Sequence, residues 1–250
     1  MPDATPILEF TGVTVEADAT YDSGVWNVSL RLMPGEMALV RMERGSLRLP
    51  LADAAQGLTD LAEGAVTFLG RDWRDVPPAE ADRRRGRIGR VFDEGAGSGW
   101  LSNLDVDENV MLAQRHHTAR PRKEIADEAA RLAQMFKLPG LPRGRPAHAR
   151  PHDLARAGLV RAVLGHPDLL ILERPTQGYP ELLPPIVNVV RAARLRGAAV
   201  LWTTAEAAEW TNPGLRPTYK CAMSGGQMFV TREGEPAADP EKGLPTNEHE

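Results

Sequence analysis

The stretch LARAGLVRAVLGHPDLLILERPTQG, residues 154–178, decides the fold. Its first half reads as a helix, with Asp153 just ahead placed to cap it and the end at about Gly165. Its second half contains LLIL, residues 169–172, a short and wholly apolar run. Such a run suits a parallel strand buried on both faces. Glu173, Arg174 and Pro175 then break the pattern.

Downstream, a helix through Ile186, Val187, Val190 and Ala193 leads to a second apolar strand, AAVLWT at 198–203. Tyr219–Met223 and Gln227–Val230 form a hairpin pattern about Gly225 and Gly226. Residues 233–250, rich in Pro, Glu, Asp and Asn, read as a disordered tail. Upstream, residues from about 93 to 150 switch to helices and loops, and Ile125, Ala129, Leu132, Ala133 and Phe136 share one apolar face. Before them lie strand patterns at 87–92 (RIGRVF), 37–40 (MALV), 25–32 (VWNVSLRL) and 7–15 (ILEFTGVTV), a strand and turn at 64–73 (GAVTFLGRDW), and a helix at about Pro50–Gln56. Alternating strand and helix imply a parallel sheet covered by helices. The expectation is an α/β domain over 1–232 with antiparallel strands at its N-terminus and a helical insertion at about 93–160.

Composition narrows the function classes. The 250 residues are 42% hydrophobic and 26% charged, as in an ordinary globular protein, and carry a net charge of −4. That charge gives no reason to expect nucleic acid as a partner. A single cysteine, Cys221, excludes an intrachain disulfide and a cysteine-rich metal site. No stretch approaches the ~20 apolar residues of a membrane span, and MPDATPILEF, with an acidic Asp3 and no basic segment before a long apolar one, is not expected to act as a secretory leader. The expected location is cytoplasmic, with any membrane role supplied by a partner. The arginine run RRRGRIGR, residues 83–90, reads as a solvated loop before a strand. His116 with His117, and His148 with His152, lack a cysteine or acidic cluster, and Pro151 interrupts the second pair, so no metal is assigned to them.

Four stretches carry a resemblance to a known family. MPGEMALV at 33–40 resembles the entry to a phosphate loop, and RIGRVF with WLSNLDVDENV at 100–110 resembles a Q-loop strand and the segment after it. Residues 154–178 resemble a signature helix followed by a Walker B strand, and GAAVLWTTAEAAEW at 197–210 resembles the strand leading to a switch histidine. Together, in this order, they resemble the ATP-binding subunits of ABC transporters. The resemblance implies a P-loop NTPase-like ABC ATPase fold with a RecA-like parallel core, an N-terminal antiparallel part and a helical subdomain.

The positions that carry the chemistry depart from the family. A working GxxxxGK[ST] loop cradles phosphate with backbone amides, a lysine and a Mg²⁺-binding hydroxyl. Here RMERGSLRLP at 41–50 offers Gly45, Ser46 and Arg48, and no lysine. Leu47 or Arg48 falls at the lysine's position and Arg48 or Leu49 at the hydroxyl's. Asp93 stands for the Q-loop glutamine, Glu173 for the Walker B aspartate and Arg174 for the carboxylate that positions water. A guanidinium accepts no proton. Ala149-Arg150-Pro151-His152-Asp153 replaces LSGGQ, Ala205 replaces the switch histidine and Pro180 the D-loop aspartate. Tyr21 is either an adenine-stacking aromatic or a loop tyrosine, and Trp100 either core or an anchor for a permease helix. The SGGQ of 224–227 lies after the Walker B strand and reads as a hairpin turn.

The resemblance therefore implies a non-catalytic subunit that docks on a transmembrane permease at the inner face of the membrane, as a homodimer or beside another ATPase subunit. No catalytic residue and no metal site is assigned, and ATP with Mg²⁺ is at most a weak ligand. The alternative is an ATPase whose rearranged site uses Arg48, Asp93 and Glu173.

Overall fold

The computed structural model describes residues 5–42, 48–93 and 99–233. An antiparallel sheet is built from β1 (Leu8–Val15), β2 (Val25–Leu32), β4 (Glu63–Phe68) and β5 (Arg71–Asp72), in the order β2-β1-β4-β5. A second sheet contains β3 (Met37–Arg41), β6 (Ile88–Val91), β7 (Leu169–Glu173), β8 (Ala199–Thr204), β9 (Tyr219–Ser224) and β10 (Gln227–Arg232). Its order is β10-β9-β3-β8-β7-β6, and only β10 runs antiparallel to its neighbour.

The strand period of two assigns the layers. Ala38, Val40, Leu169, Ile171, Ala199 and Leu201 face one core, shared with the antiparallel sheet and α1 (Leu51–Ala55). Met37, Leu39, Leu170, Leu172, Val200 and Trp202 face the other. That second core is closed by α3 (Val106–His117), α4 (Arg122–Met135), α5 (Pro151–Val163) and α6 (Leu183–Leu195). All five residues of β7 are buried, as the apolar run at 169–172 requires. Ile125, Ala129 and Ala133 are buried along α4, the face expected from their spacing. Among the described residues no helix is long and apolar enough to cross a membrane.

Several local expectations need correcting. Asp153 does not cap α5: Arg150 is the cap, Pro151 opens the helix and Asp153 lies in the first turn. Proline's fixed φ and missing N–H suit the first helical position better than any later one. The arginine run is not a solvated loop. Residues Pro78–Arg85 form α2 after Pro77, and several of the run's arginines bind neighbouring elements, although Arg83 stays exposed. Arg84 donates to the Phe68 carbonyl, Arg85 to those of Gln56 and Gly57, and Arg87 pairs with Asp168. The strand and turn read over 64–73 are there: β4 ends at Phe68, and Leu69 and Gly70, both at positive φ, turn the chain back into β5. A short α7 (Ala207–Trp210) follows β8 where none was expected. The hairpin at 224–227 is as read, with Gly225 and Gly226 at φ of 55° and 78°, the backbone that a two-residue type I′ turn demands. Gly45 and Ser46 lie outside the described residues, as does the tail from residue 234.

Gly89 brings β6 against α5. A Cβ there would stand 1.7 Å from the Ala162 carbonyl oxygen. Gly89→Ala is expected to cost on the order of 3 kcal/mol through overpacking, read as a fall in melting temperature of about 6–12 °C for a chain this size. An unchanged melting curve would mean that β6 and α5 do not approach so closely.

Candidate functional site

Open α/β sheets bind ligands in the crevice outside the carboxyl ends of their parallel strands. Here β3, β6, β7 and β8 deliver Met42, Arg90 to Asp93, Glu173 with Arg174, and Thr203 to Ala205 to that crevice. The first turns after β3 contribute Arg48 and α1, which carries Asp53.

Arg90 is the centre of the arrangement. It is 6% exposed, and its guanidinium bridges two elements. Nε donates to Glu173 Oε2 at 2.6 Å, while Nη1 donates to Asp53 Oδ1 at 2.6 Å and to Gln56 Oε1 at 2.7 Å. Asp53 also accepts from the Tyr21 hydroxyl at 2.9 Å and from Arg48 Nη2 at 3.1 Å. Burial pushes the Asp53 carboxyl up, but Arg90, Tyr21 and Arg48 outweigh it, and the group titrates below its ordinary range. Glu173 goes the other way. Its burial dominates, Arg90 offsets part of it, and the neighbouring Asp53 and Asp93 carboxylates add to the rise.

Arg174 makes the second ion pair. Its guanidinium chelates Asp93, with Nε 2.7 Å from Oδ2. Its backbone is left-handed, at φ 43°, a conformation that costs a non-glycine residue energy unless the surroundings hold it. The Arg174 N–H to Thr203 carbonyl bond at 3.0 Å and the Asp93 pair do so. One turn on, Thr176 donates to Glu209, which also accepts from Trp202 Nε1 at 2.7 Å, fixing this turn to β8. Among the described residues Met42, Arg48, Leu49, Asp93, Glu173 and Thr203 enclose a space of only about 10 Å³, enough for about one water.

The remaining expected site residues fall as follows. Tyr21 is 6% exposed, with its hydroxyl on Asp53 and its ring 5.4 Å from the Arg48 guanidinium. Ala205 is exposed just past β8. At the start of α5, His152 Nε2 lies 3.1 Å from Glu181 and 2.8 Å from Arg156, against the turn at Pro180–Leu182. Asp53, Gln56 and Arg90 were not among the expected site residues. The one available signal was an arginine inside a strand pattern, where a buried charge requires a partner.

Beside the crevice lies a groove. One part, about 350 Å³, is lined by Phe92, Trp100, Leu154, Arg161, Arg174 and Tyr179. An adjoining part of about 540 Å³ adds Leu101, Leu112, His116 and His117. Leu101 and Leu112 are 48% and 39% exposed. Trp100 both lines the groove and packs on the helical core, with the Arg161 guanidinium 4.3 Å from its ring centre. Burial lowers the Arg161 pKa to about 10, which leaves it charged near neutrality.

No family model matches the chain. By sequence it is 30% identical over 214 residues to the oligopeptide transport ATP-binding protein OppD of Mycobacterium tuberculosis, covering 80% of this chain but 34% of that protein. The chain thus spans about a third of the length of that relative. It is 27% identical over 190 residues to the octopine permease ATP-binding protein P of Rhizobium meliloti, covering 72% of this chain and 71% of the relative. Among solved structures, the dimeric MJ0796, a bacterial ABC transporter cassette, superposes with a TM-score of 0.76 at 18% identity, over 90% of this chain and 98% of its own. The structural match establishes the fold as that of an ABC ATPase cassette, and the sequence relatives support a place for this chain in the ABC transporter ATP-binding subunit family.

Proposed function

We propose that this chain is a non-catalytic, nucleotide-binding-domain-like subunit of an ABC transporter. It docks on a transmembrane permease at the cytoplasmic membrane face and pairs with a second cassette, as the MJ0796 cassette pairs with its own copy. The observation that carries this reading is the internal neutralisation of the crevice. Glu173 and Asp93, the carboxylates at the family's metal-binding positions, are held by Arg90 and Arg174. A cation could reach them only by breaking buried ion pairs. Arg174 stands where a water-activating carboxylate belongs and accepts no proton. At the start of α5, Pro151 has no N–H to offer a partner's phosphate, and Asp153 already places a negative charge in the first turn. These losses affect both halves of a head-to-tail pair, so the reading extends to the site shared with the partner. What persists is the groove of Phe92, Trp100, Leu101, Leu112 and Arg161, where an apolar permease helix would rest.

Three outcomes follow from this reading. Millimolar Mg·ATP is expected to leave the melting temperature unchanged and to turn over no faster than a buffer blank. A ligand at about 100 times its Kd would add about 2.7 kcal/mol of stability, so a clear upward shift, or turnover that survives removal of contaminating ATPases, would overturn it.

Arg90→Met leaves Asp53 and Glu173 buried without their cation and is expected to cost about 3–5 kcal/mol at neutral pH. Asp53 titrates low in the folded chain, so its stabilisation is present above its unfolded pKa and is lost as pH falls through the folded one. Glu173 titrates high and has the opposite sign. In the variant both carboxyls rise and protonate first on acidification. Its deficit in chemical unfolding should therefore shrink steadily as pH falls from 7 to about 4, toward the ordinary carboxylate range. A deficit independent of pH would remove Arg90 from its assigned role.

Leu112→Asp places a charge on an exposed groove position. It should abolish co-purification with a multi-pass membrane protein while leaving the melting temperature within about 1–2 °C of the parent, as for a surface substitution. Undiminished co-purification would move the docking surface elsewhere.

A further inference from the structure

Where α5 starts, one imidazole nitrogen faces a cation and an anion at once. His152 Nε2 lies 2.8 Å from Arg156 Nη2, one helical turn on, and 3.1 Å from Glu181 Oε1 in the turn at Pro180–Leu182. A guanidinium only donates, and an ionised carboxylate only accepts. The neutral ring with its proton on Nδ1 accepts from Arg156 but sets lone pair against lone pair at Glu181. The charged ring donates to Glu181 but stands donor to donor, and cation to cation, against Arg156. No protonation state or tautomer satisfies both contacts. The Glu181 carboxyl accepts from its own backbone N–H and from His152, beside Arg156, and titrates below its ordinary range. It therefore stays charged over the interval, about pH 5 to 8, in which histidines change state.

The surroundings decide which group moves. Arg156 is 6% exposed, its Nη1 donates to the Phe136 carbonyl at 2.7 Å at the end of α4, and its Nε is buried without a partner. Among the described residues Glu181, at 3.4 Å, is the one carboxylate within ion-pair distance of it. A guanidinium so enclosed keeps its place. The His152 side chain, 46% exposed, has room to turn. Its Nδ1 lies 3.7 Å from Asp153 Oδ1, and the Tyr179 ring meets it edge-on at 5.5 Å between centres. Asp153, Arg156, Tyr179 and Glu181 are thus the titratable and charged side chains facing the ring from α5 and the turn. The end of α4 contributes the Phe136 and Lys137 carbonyls, with the Lys137 side chain exposed.

We propose that His152 is a proton-operated switch between the start of α5 and the turn that follows β7. Neutral, it accepts from Arg156, and Glu181 shares that guanidinium. Protonated by solvent, it breaks from Arg156 and pairs with Glu181 and Asp153, and Arg156 falls back on the carbonyls at the end of α4. One proton therefore changes the contacts among three elements: α4, α5 and the turn. A switch of this kind needs an element with two arrangements of similar energy, and a nitrogen that satisfies only one of two neighbours at a time supplies it. It requires no nucleotide and stands independently of the proposed function.

The test is proton–nitrogen NMR of the imidazole rings in the full chain, with the His152 ring assigned by its loss in His152→Asn. At the alkaline end the ring proton should sit on Nδ1. Between about pH 8 and 5 the ring should take up its second proton, and the amide signals of residues 136–138 and 180–182 should shift with the same midpoint. His152→Asn should abolish those shifts. Glu181→Gln, at an exposed position, should move the midpoint down by about 0.2–0.7 pH unit, the size of an exposed ion pair. A neutral ring protonated on Nε2, a midpoint unmoved by Glu181→Gln, amides at 136–138 that do not follow the ring, or shifts that survive His152→Asn would each overturn the proposal.

Discussion

Three carboxylates, Asp53, Asp93 and Glu173, lie 5–7% exposed at the carboxyl ends of the parallel strands, and the chain neutralises them from within. An isolated buried carboxylate is costly enough to protonate or to unfold its surroundings. Arg90 supplies a buried guanidinium, Arg174 a largely covered one, and Arg48 adds a third, partly exposed charge at the rim beside Asp53. Much of the local structure serves this arrangement. The missing side chain at Gly89 lets β6 lie against Ala162, which sets the depth of Arg90 one residue on. Arg85 fixes the end of α1 through the Gln56 and Gly57 carbonyls, holding the Gln56 amide where it meets Arg90. The left-handed backbone of Arg174 turns its side chain toward Asp93. A buried ion pair is weak evidence for stability, but it is strong evidence of which conformation the crevice adopts, because either half alone is so unfavourable.

The architecture was legible because it rests on local periods. Apolar runs at 37–40, 169–172 and 198–203 could only be strands covered on both faces, and each is one. The SGGQ of 224–227 read as a hairpin because it lies after the Walker B strand with no amphipathic helix behind it, and Gly225 and Gly226 take the positive φ the turn needs. The site was half legible. Asp93, Glu173 and Arg174 follow from their places relative to recognisable strands, and the structure brings all three to one crevice. Arg90 did not follow, because its partners lie 37 and 83 residues away in sequence, and pairings of that range leave no local pattern. Asp53 was hidden for the same reason, as one acid in a five-residue helix. The arginine run misled in a different way. Its charge suggested solvent, whereas Pro77 and Pro78 were the signal for a helix start, and its guanidiniums could reach backbone carbonyls on neighbouring elements. Asp153 as a cap competed with Pro151 as a first helical residue, and the proline's fixed φ prevailed.

The same side chains that close the crevice shape the groove beside it. The Arg90 guanidinium lies 4.5 Å from the Phe92 ring centre, Arg161 lies 5.3 Å from that ring, and Arg161 in turn lies 4.3 Å from the ring of Trp100. Cation and ring alternate from the centre of the crevice to the wall of the groove, each contact strengthened by partial desolvation. A ligand can shift a conformational equilibrium only through different affinities for its two states. In this chain the crevice end of the stack is pinned by Asp53, Glu173 and Gln56, so on the proposed reading nucleotide adds little. The groove would then be presented in one shape whatever the nucleotide level, which is what a docking subunit requires and what a catalytic cassette must avoid. Under the proposed non-catalytic reading, one set of groups serves both ends: the guanidiniums that neutralise the crevice carboxylates also reach the rings and walls of the groove.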